Sequence, residues 1–250
     1  MVRADGATEL VDVPANGRCF SSVQRVRLSD TDAKGRLRLD ALFRYVQDVA
    51  NDDAREALDD SLAWVVRKAM VEVSSNPVEA EVLRLTTWCG GYGSRWAERR
   101  TSMQGEHGGR AETVALWVAI DRDTGTPVAL PQEFHDAYGE AAGGRAVSSR
   151  LRHPRPPAGG PQVPWTFRAA DVDILGHVNN TAYWTVAEQL LDDRPVRYRA
   201  EIEFRNPTNP GVELGVLHRV DTEGIRAWIL DGAVVCASLL VIPLDDNRTG

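Results

Sequence analysis

Leu39, Leu42, Phe43, Val46, Val49 and Ala50 recur at the three- and four-residue spacing of an amphipathic helix, and Ala54, Ala57 and Leu58 extend the stripe. Ahead of this helix, Phe20 to Leu28 reads as a strand that ends at Ser29-Asp30-Thr31-Asp32. Behind it the period changes to two. Val71 and Val73 alternate with polar residues, Val82 to Trp88 is rich in Val, Leu and Thr, and Val114, Leu116, Val118 and Ile120 alternate over a further strand. Gly90-Gly-Tyr-Gly93 is a turn between strands; it lacks the third glycine of a dinucleotide-binding loop.

From Gly139 to Gly160 the texture becomes Gly-, Pro- and Arg-rich, the mark of a linker or a long surface connection. Beyond it the first pattern restarts: a strand over Val163 to Phe167, an acidic turn, a helix from about Asn180 to Leu191, then strands including the alternating run Val196, Tyr198, Ala200, Ile202 and Phe204. A motif is shared as well. Asp30-x-Asp32-x-x-Gly35 matches Asp171-x-Asp173-x-x-Gly176, and 171 − 30, 173 − 32 and 176 − 35 are all 141. Each copy follows a strand and precedes a helix, so the chain reads as two copies of one unit, each a long helix with an antiparallel sheet. The expected division is an N-terminal unit over 1–138, a linker over 139–162 and a C-terminal unit over 163–250.

Composition narrows the chemistry. A net charge of −7 over 250 residues supplies no basic field for nucleic acid or an anionic membrane surface. Three widely spaced cysteines, Cys19, Cys89 and Cys236, form no C-x-x-C, so neither a disulfide framework nor a cysteine zinc site is expected, and a reducing cytoplasm fits. The first residues hold no apolar core of signal-peptide length, and no run approaches a membrane span. No metal and no cofactor are expected.

The second acidic turn carries the richest chemistry: Asp171-Val-Asp173-Ile-Leu175-Gly176-His177-Val178-Asn179-Asn180. Two carboxylates and an imidazole stand at a helix N-terminus, whose unpaired N–H groups suit a developing oxyanion. A calcium loop would need oxygen ligands at its fifth and twelfth positions, where Leu175 and Ala182 stand. Neither G-x-S-x-G nor H-E-x-x-H occurs.

This segment with Tyr183 resembles the hotdog-fold thioesterases, and more narrowly the acyl-ACP (acyl carrier protein) thioesterases, which fuse two hotdogs in one chain. The resemblance extends over roughly residues 20 to 242, through Leu42-Phe-Arg-Tyr-Val-Gln-Asp-Val-Ala50, Leu85-Thr-Thr-Trp88, Arg99-Arg100, Trp117-Val-Ala-Ile-Asp121, Thr124-Gly and Pro131 in order. It implies an α+β tandem hotdog that hydrolyses fatty acyl-ACP to free fatty acid and holo-ACP, with acyl carrier protein as partner. Acyl-CoA or polyketide thioesters, or acyl binding without catalysis, are the alternatives. Pairing of two chains into a homodimer is left open.

By position, the family's catalytic Asp and His fall on Asp173 and His177. Its usual Asn two residues after the Asp is replaced by Leu175, and its later Glu and Cys have no counterpart near Arg205-Asn-Pro-Thr208. The implied roles are a general base or nucleophile for Asp173, water orientation or thiolate departure for His177, and carbonyl binding by backbone N–H groups of Val178, Asn179 and Asn180. In the first copy Arg36, Leu37, Arg38 and Leu39 replace His177 to Asn180, so that half is expected to be non-catalytic. Leu42, Val46, Val49 and the tryptophans are candidates for an acyl slot between the first helix stripe and the sheet, with ordinary core packing the commoner role of such a face, and Arg95, Arg99 and Arg100 are candidates for steering an acidic carrier protein.

Overall fold

The computed structural model describes residues 8–58, 62–174, 176–191, 195–222 and 224–244. Leu175 lies outside them. The elements in order are β1 (Cys19–Arg25), α1 (Leu39–Ala57), β2 (Leu62–Ser75), β3 (Val82–Tyr92), β4 (Trp96–Gly105), β5 (Arg110–Asp121), α2 (Gln132–Ala142), β6 (Gln162–Trp165), α3 (Trp184–Leu190), β7 (Tyr198–Phe204), β8 (Leu214–Asp221), β9 (Gly224–Asp231) and β10 (Val234–Pro243).

These strands form one antiparallel sheet of ten in the order β1-β3-β4-β5-β2-β7-β10-β9-β8-β6. The order reads the same from either edge once β1 to β5 are matched with β6 to β10. The halves meet at β2 and β7, with Ala69 opposite Ile202 and Val71 opposite Ala200. The sheet is therefore continuous across the repeat, and its middle pair belongs to both halves.

Strand alternation gives the sheet two different faces. One carries Val71, Leu83, Leu85, Met103, Ala200, Ile202 and Leu239, and this face packs under the helices in the main core. α1 buries Leu39, Leu42, Phe43, Val46 and Val49 there. Phe43 on α1 stacks on Trp184 of α3, ring centroids 4.2 Å apart and planes 4° from parallel. These two residues are matched positions of the repeat, since 184 − 43 is 141, so the stack sits where the two halves face each other.

The other face of the sheet is mixed, with Trp88, Met70 and Val114 among Arg100, Lys68 and Glu201, and it is covered by the chain itself. Arg100 donates to Glu9 O at 2.8 Å, Lys68 Nζ to Ser148 O at 3.0 Å, and Trp228 Nε1 to Pro154 O at 2.9 Å. The Gly- and Pro-rich connection is thereby strapped along the sheet.

Three elements differ from the sequence reading. The first strand stops at Arg25, where its pairing with Val82 of β3 ends, and the chain passes into a 3-10 turn at Leu28–Asp30. The helix expected from Asn180 to Leu191 is a 3-10 turn over Asn180–Tyr183 followed by the short α3. A helix stands at Gln132–Ala142, where the sequence reading placed the start of a linker; it closes on Gly143 at φ +57°.

Candidate active site

The second acidic loop begins with a 3-10 turn at Ala169–Asp171. Asp171 holds that turn. Its carboxylate accepts from Arg168 N at 2.8 Å and from Arg168 Nη2 at 2.7 Å, and these bonds keep its carboxyl below the usual carboxylate range. The chain then doubles back. Asp173 N–H donates to His177 O at 3.0 Å, Gly176 N–H donates to Asp173 O at 3.0 Å, and Gly176 takes φ +78°, which a side chain would strain. The fold-back leaves Asp173 half-buried and His177 exposed at the loop's edge.

Asn179 caps the 3-10 turn at Asn180–Tyr183. Its Oδ1 accepts from Thr181 N at 2.9 Å and from Thr181 Oγ1 at 2.8 Å. The three amides named from the sequence then divide. Asn179 N–H donates to Asp171 O at 2.8 Å, and Val178 N–H donates to Thr208 O at 3.4 Å. The N–H of Asn180, first residue of the 3-10 turn, finds no hydrogen-bond partner among the described residues.

The first copy has the same backbone. Asp32 N–H donates to Arg36 O at 2.8 Å, Gly35 N–H to Asp32 O at 2.9 Å, and Arg38 N–H to Asp30 O at 2.9 Å. Its chemistry is closed at two points. Asp32 Oδ2 accepts from Arg36 Nε at 2.9 Å, and Arg36 stands where the second copy has His177. The N–H that corresponds to Asn180, that of Leu39, donates to Glu188 Oε1 at 2.6 Å. The helix N-terminus of the first half is thus filled by a carboxylate from the second half.

Thr208 adjoins the second loop and was read in the sequence only as the place of a missing residue. It is buried, and its hydroxyl has no hydrogen-bond partner among the described residues. Beside it, burial raises the Tyr183 phenol, which packs against Phe167 and, edge-on, against Phe204.

One expectation is corrected by burial. Arg99 and Arg100 are not a docking surface. Neighbouring strand residues point to opposite faces, and each guanidinium meets its own acid: Arg99 pairs with Asp53 and Arg100 with Glu98. Arg95 alone of the three is exposed. Leu42, Val46 and Val49 are packed into the main core, the commoner role expected of that helix face. A cavity of about 30 Å³ lies on the mixed face, between Lys68, Glu98, Glu201 and Glu203, and shares no residue with the loop.

Comparisons with known proteins agree with this architecture. The model of the acyl-ACP thioesterase N-terminal domain matches residues 17–138. An uncharacterized protein of Mycobacterium tuberculosis is 30% identical over 241 residues, covering 93% of this chain and 95% of the relative. Among solved structures, a provisionally assigned oleoyl thioesterase from Lactobacillus plantarum superposes with a TM-score of 0.75 at 19% identity, over 94% of this chain and 100% of that one. The 12:0-ACP thioesterase of Umbellularia californica superposes at 0.71 with 18% identity, over 92% and 98% of the two chains. The solved structures show the tandem hotdog fold, and the matching family model places the chain in the acyl-ACP thioesterase family, a family of thioester hydrolases.

Proposed function

We propose that the chain releases a fatty acid from acyl carrier protein by hydrolysis at the second acidic loop. The observation that carries this reading is the contrast between two equivalent amides: Leu39 N–H is held by Glu188, whereas Asn180 N–H has no partner among the described residues. An unfilled donor at a helix start is suited to the carbonyl oxygen of a thioester and to the oxyanion formed on attack.

In this reading the carbonyl oxygen rests on Asn180 N–H. Asp173 takes a proton from water as the water oxygen bonds to the carbonyl carbon. The tetrahedral adduct collapses, the carbon–sulfur bond breaks, and the thiolate leaves with a proton returned from Asp173 or supplied by His177. A thiolate departs readily, so that step needs little acid catalysis. Val178 and Asn179 act by shaping the loop, since their N–H groups are already engaged. The half spanning 163–250 supplies this loop and the half spanning 1–138 the facing helix, joined by 139–162. The cytoplasm is the proposed site of action.

Acyl-CoA is the second reading, because the same centre cleaves either thioester. Matched acyl-ACP and acyl-CoA panels across chain lengths test the carrier. A kcat/KM higher on the carrier-protein thioester supports the proposal, and an equal or higher value on acyl-CoA contradicts it.

A further inference from the structure

We propose that Gln47, contributed by α1 of the first half, is the acceptor that orients the attacking water in the site of the second half. The inference rests on the thioesterase reading above and adds a residue to it.

Gln47 lies one helical turn beyond Phe43, and Glu188 one turn beyond Trp184, so both share the helix face on which those two rings stack. Gln47 and Glu188 are matched positions of the repeat, because 188 − 47 is 141, as 180 − 39 is for the two amides. In the first half the pair is joined: Glu188 Oε1 accepts from Leu39 N–H at 2.6 Å. By the offset of 141, Gln47 and Asn180 correspond to Glu188 and Leu39, and we infer from this that Gln47 faces Asn180. There the pair is not joined. Among the described residues, Gln47 Oε1 is shielded from solvent and has no hydrogen-bond partner, and Asn180 N–H has none either.

A shielded polar atom without a partner is an exception that needs a reason. The reaction supplies one. The tetrahedral adduct carries two oxygens on one carbon, the former carbonyl oxygen and the former water oxygen. A donor and an acceptor set opposite each other by the repeat would fit those two atoms. Asn180 N–H donates to the first, and Gln47 Oε1 accepts the O–H that Asp173 does not remove. The water oxygen's lone pair is thereby turned to the carbonyl carbon. A carboxylate at position 47 would bind the amide more strongly than a neutral carboxamide does, as Glu188 binds Leu39 N–H, and would compete with the substrate for it.

Thiol release from saturated acyl-CoA and acyl-ACP thioesters tests this with four variants. Gln47→Met keeps the side chain's length and removes the acceptor; it is expected to lower kcat by about tenfold or more, with KM unchanged and Tm unchanged or raised. Gln47→Glu, whose carboxylate competes for the Asn180 amide, is expected to raise KM, while keeping more kcat at saturation than Gln47→Met because it keeps an acceptor. Glu188→Gln, outside the site, is expected to leave kcat unchanged. Wild-type kcat in Gln47→Met overturns the inference, as does a kcat loss matched by a fall in Tm or a rise in KM. Should Gln47→Met not fold, Gln47→Asn withdraws the acceptor by one methylene, and wild-type kcat in that variant overturns the inference equally. A wild-type chain that cleaves no thioester removes the thioesterase reading itself, whereas an active wild type with an unaffected Gln47→Met removes this inference alone.

Discussion

Glu188 on α3 accepts a hydrogen bond from the backbone N–H of Leu39, at the start of α1, at 2.6 Å. One half of the molecule thereby caps the helix of the other, and Arg38, the residue at the N-cap position, makes no side-chain cap of its own. The capping is one-sided: among the described residues, the matched residue Gln47 leaves the matched amide of Asn180 without a partner. Removing the cap is therefore a matter of stability. Glu188→Ala is expected to cost about 1 kcal/mol, read as a lower Tm, with kcat for thioester hydrolysis unchanged.

Asp53 on α1 has no solvent exposure. It accepts from Arg18 Nε at 2.6 Å and from the Tyr138 hydroxyl at 3.0 Å, and it pairs with Arg99, whose guanidinium lies over the Tyr138 ring. The cluster ties α1, β4 and α2 together. Asp53→Ala leaves Arg99 without its buried counter-charge, and the expected loss is about 3–5 kcal/mol. Chemical denaturation of the two proteins measures it.

Asp171 gives a pH dependence with a defined sign. Its folded-state carboxyl is held below the ordinary range, first by the Arg168 side chain. The unfolded chain therefore binds that proton first as pH falls. The stabilisation is fully present above the ordinary carboxylate range and is lost as pH falls through the lowered value. Asp171→Asn is expected to lower Tm at neutral pH, and the gap to wild type is expected to close on acidification. Parallel Tm curves between neutral and acid pH check this.

Thr208 buries a hydroxyl that bonds to nothing among the described residues. Replacing it by the isosteric Val removes an unsatisfied group without losing a hydrogen bond. Thr208→Val is expected to hold or raise stability, by up to about 1 kcal/mol, as read by thermal unfolding.

The repeat was legible because its chemistry is local. Asp30, Asp32 and Gly35 are set against Asp171, Asp173 and Gly176 by turn geometry alone, and the two loops carry the same backbone hydrogen bonds. The amphipathic stripe of α1 was equally plain, since its whole face enters one core. α2 was hidden by its surroundings. Its buried positions Phe134, Tyr138, Ala141 and Ala142 have helical spacing, but Gly139 interrupts them and a Gly- and Pro-rich stretch comes directly after. Arg99 and Arg100 are legible in sequence as basic residues but not as buried ones, because strand alternation sends them to opposite sides of the sheet, each to its own acid. The closure of the first site by Glu188 depends on a contact 149 residues apart, which no local pattern contains.

The central claim is that the loop of Asp173, and not that of Asp32, is where a thioester is cleaved. Asp32 is bound to Arg36, and the amide beyond it is held by Glu188. The direct measurement is thiol release from an acyl-ACP panel by wild type, Asp173→Asn and Asp32→Asn at matched folded concentration. The account predicts a loss of about a hundredfold or more in kcat for Asp173→Asn and near wild-type turnover for Asp32→Asn. Equal losses in the two variants, or an Asp173→Asn enzyme as fast as wild type, would contradict it.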